Sequence, residues 1–163
     1  MKYFLHENDL PESVIVDKSV AIDTETTGLN LIRDRLCLIQ ICTGNDEVHL
    51  VKISKKTSQA PNIVKILMNK KILKIFHFGR FDIAVLLKHF ECDITPVYCT
   101  KIASKLTRTS SDQHGLKHLV KEFLSIDLYK FEQTSDWGKK ELTKSQLTYA
   151  ASDVLYLHQL KMN

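Results

Sequence analysis

The sequence predicts an α/β domain: a mixed sheet of three antiparallel strands followed by parallel additions, flanked by helices. Two observations predict it. Three strand-like runs, 19–23, 36–43 and 47–53, follow each other with turn chemistry before the third. After residue 60 the pattern switches to alternating helical and strand-like segments. Strands joined by tight turns pair antiparallel, whereas strands joined through helices pair parallel.

Ser19–Asp23 alternates Val20 and Ile22 with Ala21 and Asp23, and Gly28 then breaks the chain. No earlier stretch reads cleanly as a strand. Leu36–Thr43 is nearly all apolar, the signature of a strand buried on both faces. Gly44-Asn45-Asp46 is a turn, and Glu47–Ile53 completes a meander. Pro61 opens a helix at its first turn, with Ile63, Ile66 and Leu67 at helical spacing. Ile72–Phe76 reads as a fourth strand. Beyond Gly79 a helix carries Ile83, Leu86, Leu87 and Phe90 on one face, and Pro96–Cys99 is a short fifth strand. Leu116, Leu119, Val120 and Phe123 mark another amphipathic helix. Thr143 and Gln146 form a T-x-x-Q capping box ahead of the last helix, whose stripe is Leu147, Ala150, Val154 and Leu157. Segments 54–60 and 107–115 read as polar loops, and 126–142 as an irregular connection.

The 163 residues suit one domain, 1–163. With 44% hydrophobic and 26% charged residues, the composition excludes a disordered chain. The longest aliphatic run, Ile83–Leu87, is far short of the ~20 residues of a membrane helix. The N-terminus turns polar too soon for a signal peptide. A soluble cytoplasmic protein with no membrane partner is expected. A net charge of +4 favours a polyanionic partner, but the 23 Lys and Arg residues are scattered, so the fold must gather them. Cys37, Cys42, Cys92 and Cys99 form no C-x-x-C pair. Cys37 and Cys42, five apart in one strand, are expected on opposite faces, as buried thiols rather than zinc ligands or disulfides.

The chemical signal lies in acids set against apolar scaffolding. Asp23 and Glu25 end the first strand two residues apart, so they face one side. Like charges so placed need something to offset their repulsion, and a cation does this. Asp82 opens the helix after the fourth strand, in line with Leu86 and Phe90, and so leans toward the core. His77, just before it, either contacts substrate or closes the loop. Asp153 and Tyr149 stand one turn apart on the last helix and share a face. If these carboxylates converge, they form a hard, all-oxygen site suited to Mg²⁺ or Mn²⁺.

The same residues carry a family pattern. Asp-Thr-Glu-Thr-Thr-Gly at 23–28, His-Phe-Gly-Arg-Phe-Asp at 77–82 and Tyr-Ala-Ala-Ser-Asp at 149–153 resemble the three exonuclease motifs of the DEDD superfamily. Tyr149, four residues before the last Asp, marks the Tyr subclass. Gln133–Trp137, Leu142-Thr143, 146–151 and Leu38-Ile39-Gln40-Ile41 resemble ribonuclease D in particular. The resemblance runs from about residue 19 to 160. It implies a ribonuclease H-like fold and a 3′→5′ exoribonuclease using two divalent metal ions on single-stranded 3′ ends, RNA favoured over DNA, in RNA processing or turnover. It makes Asp23, Glu25, Asp82 and Asp153 the metal ligands, with Tyr149 orienting the attacking water. His77 and Phe81 would lie near the terminal nucleotides, and Thr26 and Leu29 are candidates for contact with the last one. The chain ends ten residues after Asp153, without room for the C-terminal helical domains usual in ribonuclease D, so a stand-alone catalytic domain is expected. Alternatives are a 3′→5′ DNA exonuclease and a catalytically silent nucleic-acid-binding domain.

Lys101, Lys105 and Arg108 are candidate phosphate contacts. His114 and His118, four apart, would suit a metal on a helix but lack a third ligand in sequence. G-x-S-x-G, Walker and G-x-G-x-x-G motifs are absent.

Overall fold

The computed structural model describes residues 1–55, 59–128 and 132–162. Six strands, β1 (Lys2–Glu7), β2 (Ser19–Thr26), β3 (Leu36–Cys42), β4 (Glu47–Lys52), β5 (Leu73–Phe76) and β6 (Val97–Cys99), form one sheet in the order β1-β4-β3-β2-β5-β6. The meander β2-β3-β4 is antiparallel. β5 and β6 add parallel beyond β2, and β1 pairs parallel with β4. The expected mixed sheet is therefore present.

The helices are α1 (Pro61–Met68), α2 (Arg80–Phe90), α3 (Thr100–Thr107), α4 (Leu116–Leu124), α5 (Lys144–Leu155) and α6 (Leu157–Met162). They cover both faces. One core cluster gathers Ala21, Leu38 and Val48 with Leu119, Val120, Ala150, Val154 and Leu157 from α4, α5 and α6. The other gathers Val20, Ile22, Ile39 and Ile41 with Ile63, Leu67 and Leu86 from α1 and α2. All of β3 is buried, because both its faces are covered. The expected capping box holds the start of α5: the Gln146 amide N–H donates to Thr143 Oγ1 at 3.2 Å, and the Thr143 N–H to Gln146 Oε1 at 2.9 Å.

The structure corrects the sequence reading in several places. β1 was missing from it, since an edge strand exposed along much of its length alternates weakly. α3 was also missing, for a clearer reason. It buries Thr100 and Ser104 and exposes Ile102 and Leu106, at 57% and 75%, so its apolar residues mark the wrong face. Leu87 and Phe123, expected in the core, are exposed instead, the Phe123 ring lying beneath the Arg108 guanidinium. The last helix divides at Tyr156 into α5 and α6.

Cys37 and Cys42 join one core cluster rather than opposite faces, because β3 carries an extra residue where Glu25 pairs Leu38 and Thr26 pairs Leu36. All four cysteines are free thiols. Of the expected loops, 56–58 and 129–131 lie outside the described residues. The described parts of 54–60 and 126–142 hold no helix or strand, and Thr107 closes α3. Among the described residues no helix is long and apolar enough to cross a membrane.

Candidate functional site

The site forms where β2 and β5 end beside one another and α5 crosses the sheet. Asp23 and Glu25 point to the α5 side. The parallel register of β2 and β5 runs from Ser19 opposite Leu73 to Ala21 opposite Ile75, so β5 ends alongside the strand that carries Asp23. From α5, Asp153 reaches the same place. Oxygens of Asp23, Glu25 and Asp153 lie within 4.8 Å of one another, the one such group of potential metal ligands among the described residues.

Asp82 comes from the opposite face and closes the group at its edge. It lies close enough to Asp23 for its charge to act on that carboxyl. Its Oδ1 also accepts from the Thr24 hydroxyl at 2.6 Å and the Thr24 N–H at 3.1 Å. Thr24 faces away from its two acidic neighbours, as alternation along a strand requires, and so reaches α2. Beneath the acids sits Gln40, fully buried on β3. Its Nε2 donates to Asp23 Oδ2 and Glu25 Oε1, both at 3.5 Å. Neither Thr24 nor Gln40 is marked for a role by sequence pattern alone. The available signal for Gln40 was one amide in an otherwise apolar run, 36–42.

Asp23 and Glu25 keep a solvent-facing edge, yet protein crowds both carboxyls. Burial, then Asp82, Asp153 and Glu25, hold the Asp23 carboxyl well above the usual carboxylate range. Burial, then Asp153 and Asp82, push Glu25 up to about 9, and only Gln40 opposes this. Burial also raises Asp82, against the pull of Thr24. Protonation of the carboxyls or a bound cation are the two ways to relieve such a cluster. An all-oxygen donor set drawn from three rigid elements fits a hard divalent cation.

Tyr149 is buried beside Asp153, with the Trp137 ring 6.1 Å away. Burial first, then the charges of Asp153 and Glu25 and a hydrogen bond to Asp153, raise its phenol well above the ordinary value. It therefore stays protonated, a donor and not a base. A cleft of about 490 Å³ runs along α5 past Ser145, Ser152 and Tyr156; of the site residues it reaches Tyr149 alone.

The other expected residues are more dispersed. His77 Nδ1 lies 2.9 Å from Thr100 Oγ1, which donates to the Phe76 carbonyl at 3.2 Å, so one of its ring nitrogens helps to close the loop. Thr26 turns its hydroxyl onto the Gly28 carbonyl at 2.6 Å. Leu29 is 83% exposed just beyond it. Phe81 is half-buried against the α1–α2 core cluster. Arg108 is held by Glu122 and the Gln113 carbonyl, and Lys105 is exposed. Lys101 instead sits over the ring of Phe78. His114 pairs with Ser104, and the His114–His118 pair gains no third ligand among the described residues.

Fold and site together define an α/β protein with a carboxylate cluster built for hard cations. Residues 6–163 match the 3′-5′ exonuclease family, and the chain belongs to it. Ribonuclease D of Zymomonas mobilis is 33% identical over 141 residues, 86% of this chain and 36% of that protein. The chain thus spans little more than a third of that relative's length. NrnC of Brucella melitensis, solved bound to pGG, is 52% identical with a TM-score of 0.94, over 99% of this chain and 79% of that one. The same protein, solved with bound Mg²⁺, is 51% identical with a TM-score of 0.93 over the same shares. Ribonuclease D of Escherichia coli, described as an exoribonuclease involved in structured RNA processing, is 30% identical with a TM-score of 0.76, over 89% of this chain and 38% of that one.

Proposed function

We propose that this chain is the catalytic domain of a 3′→5′ exoribonuclease that removes nucleotides one at a time from single-stranded RNA ends. The observation that carries the reading is the meeting of Asp23, Glu25 and Asp153 within 4.8 Å, with Asp82, held by Thr24, bearing on Asp23 at their edge. Membership of the exonuclease family supports it, as do the likeness to ribonuclease D and the pGG and Mg²⁺ held by NrnC.

Two divalent ions, Mg²⁺ or Mn²⁺, held by Asp23, Glu25, Asp82 and Asp153, would supply charge that activates water and neutralises the departing oxygen. The protein's own groups do the rest. Thr24 fixes the Asp82 oxygen, leaving its second oxygen for the site. Gln40 spaces Asp23 from Glu25. The Tyr149 hydroxyl, kept protonated and resting against Asp153 in this structure, would turn its single proton from that carboxylate to the attacking water and so orient it. The water oxygen bonds to phosphorus as the bond from phosphorus to the 3′ oxygen of the preceding nucleotide breaks; the water gives up a proton to solvent and the departing 3′ oxygen takes one up, leaving a nucleoside 5′-monophosphate and a strand one nucleotide shorter with a free 3′ hydroxyl. His77, Phe81, Thr26 and Leu29 surround the terminal nucleotides in this reading, and the chain works in RNA processing or turnover in the cytoplasm.

The test uses 5′-labelled RNA with Mn²⁺, beside DNA of the same sequence. A ladder shortening from the 3′ end, faster on RNA, is expected. Faster loss of DNA would make it a DNA exonuclease. Activity that survives excess EDTA would overturn the metal reading, and binding without shortening would make it a silent binding domain.

A further inference from the structure

Phe78 combines two features that folding alone does not favour. It has φ +59°, a left-handed backbone that costs a bulky residue and that glycine adopts freely. Its side chain is also left in water, with the residue 55% exposed. An aromatic ring that is both strained and unburied contributes little to stability, and strain of this kind gathers at working sites.

The surroundings hold the ring in place. Gly79 follows it with no room for a side chain, since a Cβ there would come 2.4 Å from Phe76 Cβ. The backbone on the other side is fixed by the chain of hydrogen bonds from His77 through Thr100 to the Phe76 carbonyl. Lys101 Nζ lies 3.9 Å from the ring centroid, on one face. With that face covered, the exposure of the ring belongs to its other face and edge. Among the described residues Lys101 makes no ion pair, so its charge remains available to an anion. All of this stands just past the end of β5, in the segment that leads from β5 to Asp82 on α2.

A rigid aromatic face beside an unpaired ammonium, next to a phosphodiester-cleaving centre, matches the two parts of a nucleotide. Every base has a π face, and every linkage carries a negative charge. We propose that Phe78 and Lys101 form a nucleotide subsite, in which the open face of Phe78 stacks on a base near the 3′ end and Lys101 meets a backbone phosphate. The proposal rests on the exonuclease reading for its substrate, and it adds that recognition here is by stacking and charge, without preference among bases.

The test measures equilibrium binding of a fluorescent seven-nucleotide RNA in Ca²⁺ by anisotropy, together with KM and kcat in Mn²⁺. Phe78→Ala is expected to weaken binding and raise KM by about ten-fold, within the roughly 5- to 150-fold range of a lost base stack, with the larger part of the loss in KM. Phe78→Trp should restore both to within about two-fold. Phe78→Gly should bind as poorly as Phe78→Ala while melting at or above the wild-type temperature, because glycine relieves the positive φ. An RNA lacking the base at the last or next-to-last position should bind wild type and Phe78→Ala alike at one of these two positions. Lys101→Met should weaken binding and flatten its salt dependence.

Unchanged affinity in Phe78→Ala, or equal losses on intact RNA and on both base-deficient RNAs, overturns the subsite. So does a change in sedimentation of Phe78→Ala with affinity intact, which would assign the ring to a contact between copies of the chain. If wild type binds RNA but hydrolyses neither RNA nor DNA, the exonuclease reading fails while the anisotropy still decides the subsite.

Discussion

Removing metal should leave a protein whose stability falls as pH rises through neutrality. The Glu25 carboxyl is pushed from an ordinary 4.5 up to about 9 in the folded chain. Between those values the folded state holds a proton that the unfolded chain has released. The unfolded state thus binds one proton fewer, and the slope of unfolding free energy against pH is negative, about 1.4 kcal/mol per pH unit. From pH 7 to 8.5 Glu25 contributes a loss of about 2 kcal/mol, or about 4–8 °C in a domain of this size. Asp23 is shifted in the same direction and adds to it.

The window matters. His6, His49 and His158 are lowered from 6.5 by burial, so their effect has the opposite sign, and it is complete once the unfolded imidazoles have lost their protons near pH 7.5. The thiols of Cys37, Cys42 and Cys92, raised from 9.0, act only toward the upper end. Differencing against Glu25→Gln removes both sets. The assay is the melting temperature of EDTA-treated protein at several pH values, for wild type and Glu25→Gln, repeated with saturating Mn²⁺. Wild type should lose stability with pH, Glu25→Gln should lose less, and Mn²⁺ should flatten the wild-type slope. A metal-free melting temperature that is flat or rises between pH 7.5 and 8.5, relative to Glu25→Gln, would refute the reasoning.

Three substitutions probe the remaining roles. Asp23→Asn should abolish turnover and shrink the rise in melting temperature on adding Mn²⁺; normal catalysis by this variant would remove Asp23 from the ligand set. Tyr149→Phe should slow turnover about 100-fold, the scale of one lost positioned donor, while the Mn²⁺-induced rise stays as in wild type; an unchanged rate would end its proposed role. Gln40→Leu should lower Mn²⁺ affinity about 10-fold or more, as loss of a group that orients ligands does. Titrating Mn²⁺ against melting temperature reads that affinity, and an unaltered midpoint would show that the amide does not align the acids.

Much of this was legible before any coordinates, and the parts that were not share a cause. Asp23 and Glu25 could be read because strand alternation fixes which residues share a side. Asp153 and Tyr149 could be read because one helical turn does the same. Both are local rules, and α5 announces itself by its capping box. That these acids meet, across 130 residues between Asp23 and Asp153, is a tertiary fact with no local signature. The family pattern supplied it. α3 defeated periodicity because it faces the sheet with Thr100 and Ser104, and Thr100 is there to tie His77 to Phe76. Thr24 was hidden by its neighbours: between two acids it reads as a spacer, yet its outward face is what binds Asp82. β1 was lost because its partner, β4, lies 45 residues on, and edge strands need only half a pattern.

The arrangement also explains why protons and cations should compete so directly here. Asp23 and Glu25 stand on β2, with β3 and β5 hydrogen-bonded on either side, and Gln40 is itself immobilised inside the fully buried β3. Asp153 stands on a helix whose Ala150, Ala151 and Val154 are packed into the core below. The backbone beneath these carboxylates cannot carry them apart without breaking the β2–β3 ladder or opening a packed face. On a flexible loop, like charges relax by moving apart. Here the repulsion can be relieved only by changing charge, through a bound proton or a bound cation. Raising the pH removes the first remedy and so strengthens the second, and metal affinity should climb with pH for as long as Glu25 and Asp23 retain protons in the metal-free protein. The rigidity that makes the metal-free site unfavourable is the same property that keeps its oxygens where two ions and a strand end could be held together.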